Sequence, residues 1–157
     1  MADLRRASAE LSRTSRPALG VKVLIVEDDA IVASYLRSEL FQLGYTITGI
    51  VSSGKDALTA IELVVPDLVL MDIQLDGDLD GIETANRLPA ALELPVIYIT
   101  GSSEESTIVR ASGTKPWGYL IKPLDNRKLH ATMTMALKRS QARKPQKQVQ
   151  DSQLDQD

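Results

Sequence analysis

From residue 21 to residue 140 the chain alternates short, densely apolar runs with longer stretches in which apolar residues recur every third or fourth position. Runs of the first kind suit strands and those of the second suit amphipathic helices. The region therefore predicts repeated strand-then-helix units, the sign of a parallel sheet with helices on both faces. Residues 21–26 form the first predicted strand, which ends in Glu27, Asp28 and Asp29. Ile31, Val32, Tyr35, Leu36, Leu40 and Leu43 then keep helical spacing until Gly44 stops them. Residues 45–51 read as a second strand whose alternation, with Thr46 and Thr48 on one face, suits a sheet edge. Ser53 with Asp56 three residues on resembles a capping box, opening a helix that carries Ala57, Ala60, Ile61 and Val64.

The most informative stretch follows. Leu68 to Met71 are consecutively apolar, with Pro66 before them and an Asp- and Gly-rich loop after, so they predict a strand covered on both faces. Asp72 ends that strand. In open α/β sheets ligands bind outside the carboxyl ends of the strands, where strand order reverses, and a carboxylate there is a candidate for chemistry. Alone, Asp72 would serve equally well to open a turn by bonding its own backbone. Beyond it, residues 82–91 predict a third helix, 95–100 a fourth strand, 102–111 a fourth helix poor in large apolar residues, and 117–121 a fifth strand closed by Lys122 and Pro123. A last helix over 125–140 places Leu129, Met133, Ala136 and Leu137 on its buried side and His130 at the surface, and Trp117 reads as a core aromatic.

Composition narrows the possibilities. With 157 residues and 43% hydrophobic content, the chain suits one domain with a full core. The expected organisation is a disordered leader over 1–20, a domain over 21–140, and a disordered tail over 141–157, rich in Gln, Lys and Asp. No cysteine and a single histidine exclude disulfides, thiolate metal sites and histidine clusters, so any bound metal must take oxygen ligands. There is no long apolar segment and no signal-peptide pattern, so a cytoplasmic protein with no membrane contact is expected. The net charge of −3 is unevenly placed, with basic ends flanking an acidic middle, which argues against a nucleic-acid-binding face.

The acidic loop also has a rival reading. Asp72, Asp76, Gly77, Asp78, Asp80 and Glu83 fall at ligand and glycine positions of a calcium-binding loop, and only Gln74 departs from the pattern. Such a loop needs a helix entering it, where Pro66 and residues 68–71 predict a strand. A calcium- or magnesium-binding module that uses the loop without covalent chemistry at Asp72 is thus one reading, and solvated-loop carboxylates are the simpler role for Asp76, Asp78 and Asp80. A dehalogenase-like phosphatase would use such an aspartate as its nucleophile, but it wants a second aspartate two residues on, where this chain has Gln74.

Taken together, E-D-D at 27–29, M-D at 71–72, I-T-G at 99–101 and G-Y-L-I-K-P at 118–123 resemble the receiver domain of two-component response regulators, over about residues 21–138. Each motif is short, but their order and spacing agree. The resemblance implies a doubly wound α/β fold with a five-stranded parallel sheet in the flavodoxin-like order 2-1-3-4-5. It implies that Asp72 accepts a phosphoryl group from a sensor histidine kinase or a histidine phosphotransfer protein. It assigns a Mg²⁺ ion to Asp28 directly, Glu27 through water, Asp72 and the backbone carbonyl of Gln74. Asp29 then caps a helix, or exchanges roles as a third acid if the register slips by one. Lys122, before a cis bond to Pro123, would meet a phosphoryl oxygen, Thr100 would turn toward the phosphate, and Tyr119 would move inward behind it. The output would be protein contact by a single-domain regulator that catalyses only its own phosphorylation and dephosphorylation, with a downstream target and a homodimer through the fourth helix to fifth helix face as expected partners. Physical chemistry agrees with the metal. Two unit charges about 4 Å apart repel by roughly 4 kcal/mol at an effective dielectric of 20, and a small hard cation relieves that repulsion.

Overall fold

The structure, a computed structural model, describes residues 20–101 and 104–143. Nearly all of the expected leader and tail lies outside these residues. The strands are β1 (Lys22–Val26), β2 (Thr46–Val51), β3 (Leu68–Asp72), β4 (Val96–Thr100) and β5 (Gly118–Ile121). The helices are α1 (Ala30–Gln42), α2 (Gly54–Leu63), α3 (Gly81–Asn86), α4 (Glu105–Ser112) and α5 (Asn126–Arg143), and a single 3-10 turn covers Ala90–Leu92. All strands pair in parallel, in the order β2-β1-β3-β4-β5. The order reverses at β1 and β3, which brings Glu27 and Asp72 to the same crevice.

Both faces of the sheet are covered, as the unbroken apolar runs require. Val23, Ile25, Leu68, Leu70, Ile97 and Ile99 pack under α1 and α5 with Leu36, Leu40, Leu129 and Met133. Leu24, Val26, Val69, Met71, Val96 and Tyr98 pack on the other face with Ala57, Ile61, Ile82 and Ala111. β2 is an edge strand, as its threonines indicate, and its register slips between Val23 and Leu24, so Thr48 has no partner on β1. The Thr48 hydroxyl instead donates to the Val23 carbonyl at 3.4 Å.

The helix boundaries depart from expectation in three places. The third helix stops at Asn86 rather than 91, because Pro89 cannot donate to a helical ladder and the chain restarts as the 3-10 turn. α4 runs from Glu105 to Ser112, and Ser102 and Ser103 lie outside the described residues. α5 continues to Arg143, past the expected end at 140. Trp117 is only partly buried against the core, with the Arg139 guanidinium 4.7 Å above its ring.

Two glycines make the site possible through close approach. A Cβ on Gly54 would collide with the Thr84 hydroxyl, where α2 lies against α3, and one on Gly81 would collide with the Asp72 carbonyl. We expect Gly81→Ala to push α3 off the end of β3 and lower stability by roughly 2 kcal/mol. Urea denaturation with an unchanged m-value checks it.

Candidate functional site

The sequence places an acid at the carboxyl end of β3, and pairing in the sheet decides what surrounds it. Asp72 is paired with Ile99, so Thr100 stands one residue beyond it on β4, and the Lys122 amide bonds the Thr100 carbonyl at 2.8 Å. Glu27 follows β1 and continues its pairing by donating its amide to the Val51 carbonyl at 2.9 Å. Glu27, Asp72 and Thr100 are each about 2% exposed or less. Carboxylate oxygens of Glu27, Asp28 and Asp72 lie within 4.8 Å of one another. The Lys122 ammonium reaches across to Asp72 Oδ2 at 3.2 Å and to Glu27 Oε1 at 3.3 Å. The Lys122–Pro123 bond is cis.

Backbone amides hold the carboxylates in place. The Gln74 amide donates to Asp72 Oδ1 at 3.0 Å, the Asp29 amide to Glu27 Oε1 at 3.1 Å, and the Asp76 amide to Asp28 Oδ2 at 3.3 Å. Glu27 Oε2 is buried with no hydrogen-bond partner. A buried carboxylate oxygen without a donor is costly, and an oxygen-binding cation would satisfy it. The three acids thus fit a hard divalent ion.

Asp29 stands apart from this group. Its side chain caps α1, accepting from the amides of Ile31 at 2.9 Å and Val32 at 3.3 Å. Tyr119 is 37% exposed, and its ring lies 6.1 Å from that of Tyr98, on the face covered by α4. Asp76 and Asp78 are solvated, as expected. Asp80 is not: it caps α3 in a reciprocal box with Glu83 and pairs with Arg110 at 2.9 Å. The D-G-I-E spacing at 80–83 carries the capping-box signal, which the calcium-loop reading of the same residues obscured. That reading is not favoured, because a strand enters the loop and Asp80 and Glu83 are committed to the cap.

The electrostatics follow from burial. The Glu27 carboxyl is pushed up to about 7, chiefly because it is desolvated, with the neighbouring Asp72 adding to the shift. Burial alone would lower the Lys122 ammonium, but Asp72 and then Glu27 outweigh it and raise it above its ordinary value. With its folded value above the unfolded 4.5, Glu27 contributes stability that is full below about 4.5 and is lost as pH rises through about 7. A cation that claims Glu27 must expel this proton, so we expect affinity for a divalent cation to fall as pH drops below about 7. Calorimetric titration in buffers of different ionisation enthalpy would register the proton release, and Glu27→Gln should abolish it.

The fold and this acidic crevice define a flavodoxin-like α/β domain with a candidate cation site facing a lysine. Residues 23–134 match the family model of the response regulator receiver domain, and the chain belongs to that family. It is 32% identical over 118 residues to the transcriptional regulatory protein PdtaR of Mycobacterium tuberculosis, covering 75% of this chain and 57% of that protein. It is 36% identical over 118 residues to ZraR of Escherichia coli, covering 74% and 26%. The chain thus spans little more than half, or less, of the length of these relatives. Among solved structures, the signal receiver domain of a modulated diguanylate cyclase from Desulfovibrio desulfuricans G20 superposes with a TM-score of 0.74 at 41% identity, over 80% of this chain and 99% of that one. A CheY-like receiver domain from Methanospirillum hungatei JF-1 shares the fold, with a TM-score of 0.73 at 23% identity, over 79% of this chain and 98% of that one.

Receiver domains are signalling domains of two-component systems, interacting with histidine kinases and downstream effectors. The relatives include a DNA-binding response regulator, MtrA of Mycolicibacterium paratuberculosis, 31% identical over 119 residues. The expectation of no DNA contact therefore rests on the charge of this domain alone. No helix among the described residues is long and apolar enough to cross a membrane.

Proposed function

We propose that Asp72 accepts a phosphoryl group from a phosphohistidine on a sensor kinase or phosphotransfer protein, in the cytoplasm, and that the aspartyl phosphate changes the protein's contacts. One observation carries this reading: Glu27, Asp28 and Asp72 converge within 4.8 Å at the carboxyl edge of the sheet, with Lys122 3.2 Å from Asp72. An oxygen of Asp72 attacks phosphorus, the P–N bond to the imidazole breaks, and the ring nitrogen takes the electron pair. Glu27, Asp28, Asp72 and the backbone carbonyl of Gln74 would hold Mg²⁺, which neutralises charge on the phosphoryl oxygens. Lys122 exchanges its contact with Asp72 for a phosphoryl oxygen. Thr100 donates its hydroxyl to the phosphate, and Tyr119 turns inward toward the space behind it. The face of α4, β5 and α5 is then altered for a downstream protein or a second copy.

The test is incubation with Mg²⁺ and acetyl phosphate, followed by intact-mass measurement and mapping of the modified peptide. One added phosphate on the peptide holding Asp72 is expected. No gain, or a gain on another residue, would overturn the reading.

A further inference from the structure

α4 is weakly anchored by apolar packing. Of its eight residues only Ala111 is buried, while Ile108 and Val109 are 41% and 62% exposed. Polar contacts tie it down instead. The Thr114 hydroxyl, just past the helix, lies 2.7 Å from the Tyr98 hydroxyl and donates to the Ala111 carbonyl, which closes the helix end onto β4. On the helix itself, Arg110 pairs with Asp80 at 2.9 Å.

The position of Asp80 gives this pair its meaning. Asp80 caps α3, and the next residue, Gly81, donates its amide to the Ile73 carbonyl at 2.9 Å and lies against the Asp72 carbonyl. The backbone that carries Asp72 is thus in direct contact with the residue next to Asp80, which in turn holds α4. Asp80 is better ordered for this role than a loop carboxylate would be: Glu83 bonds its amide, and its two oxygens are divided, Oδ1 to the Glu83 amide and Oδ2 to Arg110.

We propose that the Asp80–Arg110 ion pair is a latch that holds α4 in the resting position, so that its release favours the phosphorylation-competent arrangement. The coupling is conformational, and Asp80 and Arg110 are positioning residues that touch neither the reacting atoms nor the cation cluster. The proposal rests on the reading of Asp72 as the phosphoacceptor, and its test separates the two.

The experiment uses the full chain as wild type, Arg110→Gln, Arg110→Lys, Asp80→Asn and the double variant Asp80→Asn/Arg110→Gln. Asparagine caps a helix about as well as aspartate, so Asp80→Asn removes the charge and spares the cap. Two quantities are read: amide exchange of α4 by mass spectrometry without donor, and the initial rate of Asp72 phosphorylation by acetyl phosphate. Because the pair is partly exposed, the expected changes are small, about two- to fivefold faster exchange and a similar rise in phosphorylation rate in Arg110→Gln and Asp80→Asn. Arg110→Lys should recover most of the wild-type behaviour, and the double variant should change no more than either single one. Wild-type exchange in both singles, additive effects in the double, or faster exchange with an unchanged phosphorylation rate would each overturn the latch. If wild type takes up no phosphate at Asp72, the functional reading fails first, and the latch as stated fails with it.

Discussion

Asp72→Asn is expected to remove all phosphate uptake from acetyl phosphate while leaving the protein folded. The residue is 1% exposed and its side chain has the shape of asparagine, so the substitution creates neither a cavity nor a clash. The amide oxygen can still accept from the Gln74 amide, now 3.0 Å from Oδ1. What disappears is the anionic oxygen proposed to attack phosphorus, and a carboxamide oxygen does not form a stable phosphoryl ester. The loss also relieves Glu27 of its charged neighbour, so the Glu27 carboxyl should move down from about 7 toward its ordinary value. Intact mass checks the first effect. The calcium-loop alternative predicts a different outcome, in which the variant binds Ca²⁺ more weakly but the wild type gains no phosphate from a donor. Retention of a donor-derived phosphate by Asp72→Asn would refute the assignment.

Lys122→Ala should act on rate and stability together. Its ammonium lies 3.2 Å from Asp72 and 3.3 Å from Glu27, whose side chains are 2% and 0% exposed, while the lysine itself is 24% exposed. Removing it leaves Asp72 and Glu27 buried against each other without a counter-charge, and Glu27 should hold its proton to still higher pH. The cation-free protein should lose roughly 1–3 kcal/mol, less than for a fully buried pair because water can enter where the lysine stood. Added Mg²⁺ should restore much of that loss, since the same acids then gain a partner, and its affinity should rise because the ammonium no longer competes for them. Phosphorylation should nonetheless slow by about 100-fold, the usual effect of deleting one donor aimed at developing charge. Thermal melts with and without Mg²⁺, paired with initial rates by mass spectrometry, would separate these effects. An unchanged rate would remove Lys122 from the reaction.

Much of this arrangement is legible in the chain before it is folded. The unbroken apolar runs at Leu68–Met71 and in the fourth strand require a sheet covered on both faces, and the observed cores lie on both faces. The threonines of β2 mark it as the edge, and Asp29, directly ahead of an amphipathic segment, reads as a cap and is one. The residues at the strand ends, Glu27, Asp72, Thr100 and Lys122, can be named from order and spacing. Asp80 is the instructive exception. Its neighbours Asp76 and Asp78 share its composition and are solvated, so charge density alone could not distinguish it; Arg110, its partner, lies thirty positions away.

The strand-and-helix rhythm, the buried character of the sheet and the identity of the acid at the end of β3 come from the chain alone, because hydrophobic period and local capping act between near neighbours. The 4.8 Å convergence of three carboxylates, the elevated Glu27, the lysine spanning two acids and the Asp80–Arg110 pair were decided by tertiary structure. Each of these depends on distances between residues remote in sequence. Those distances are set only when the sheet closes its pairing and glycines 54 and 81 let α2, α3 and β3 come into contact.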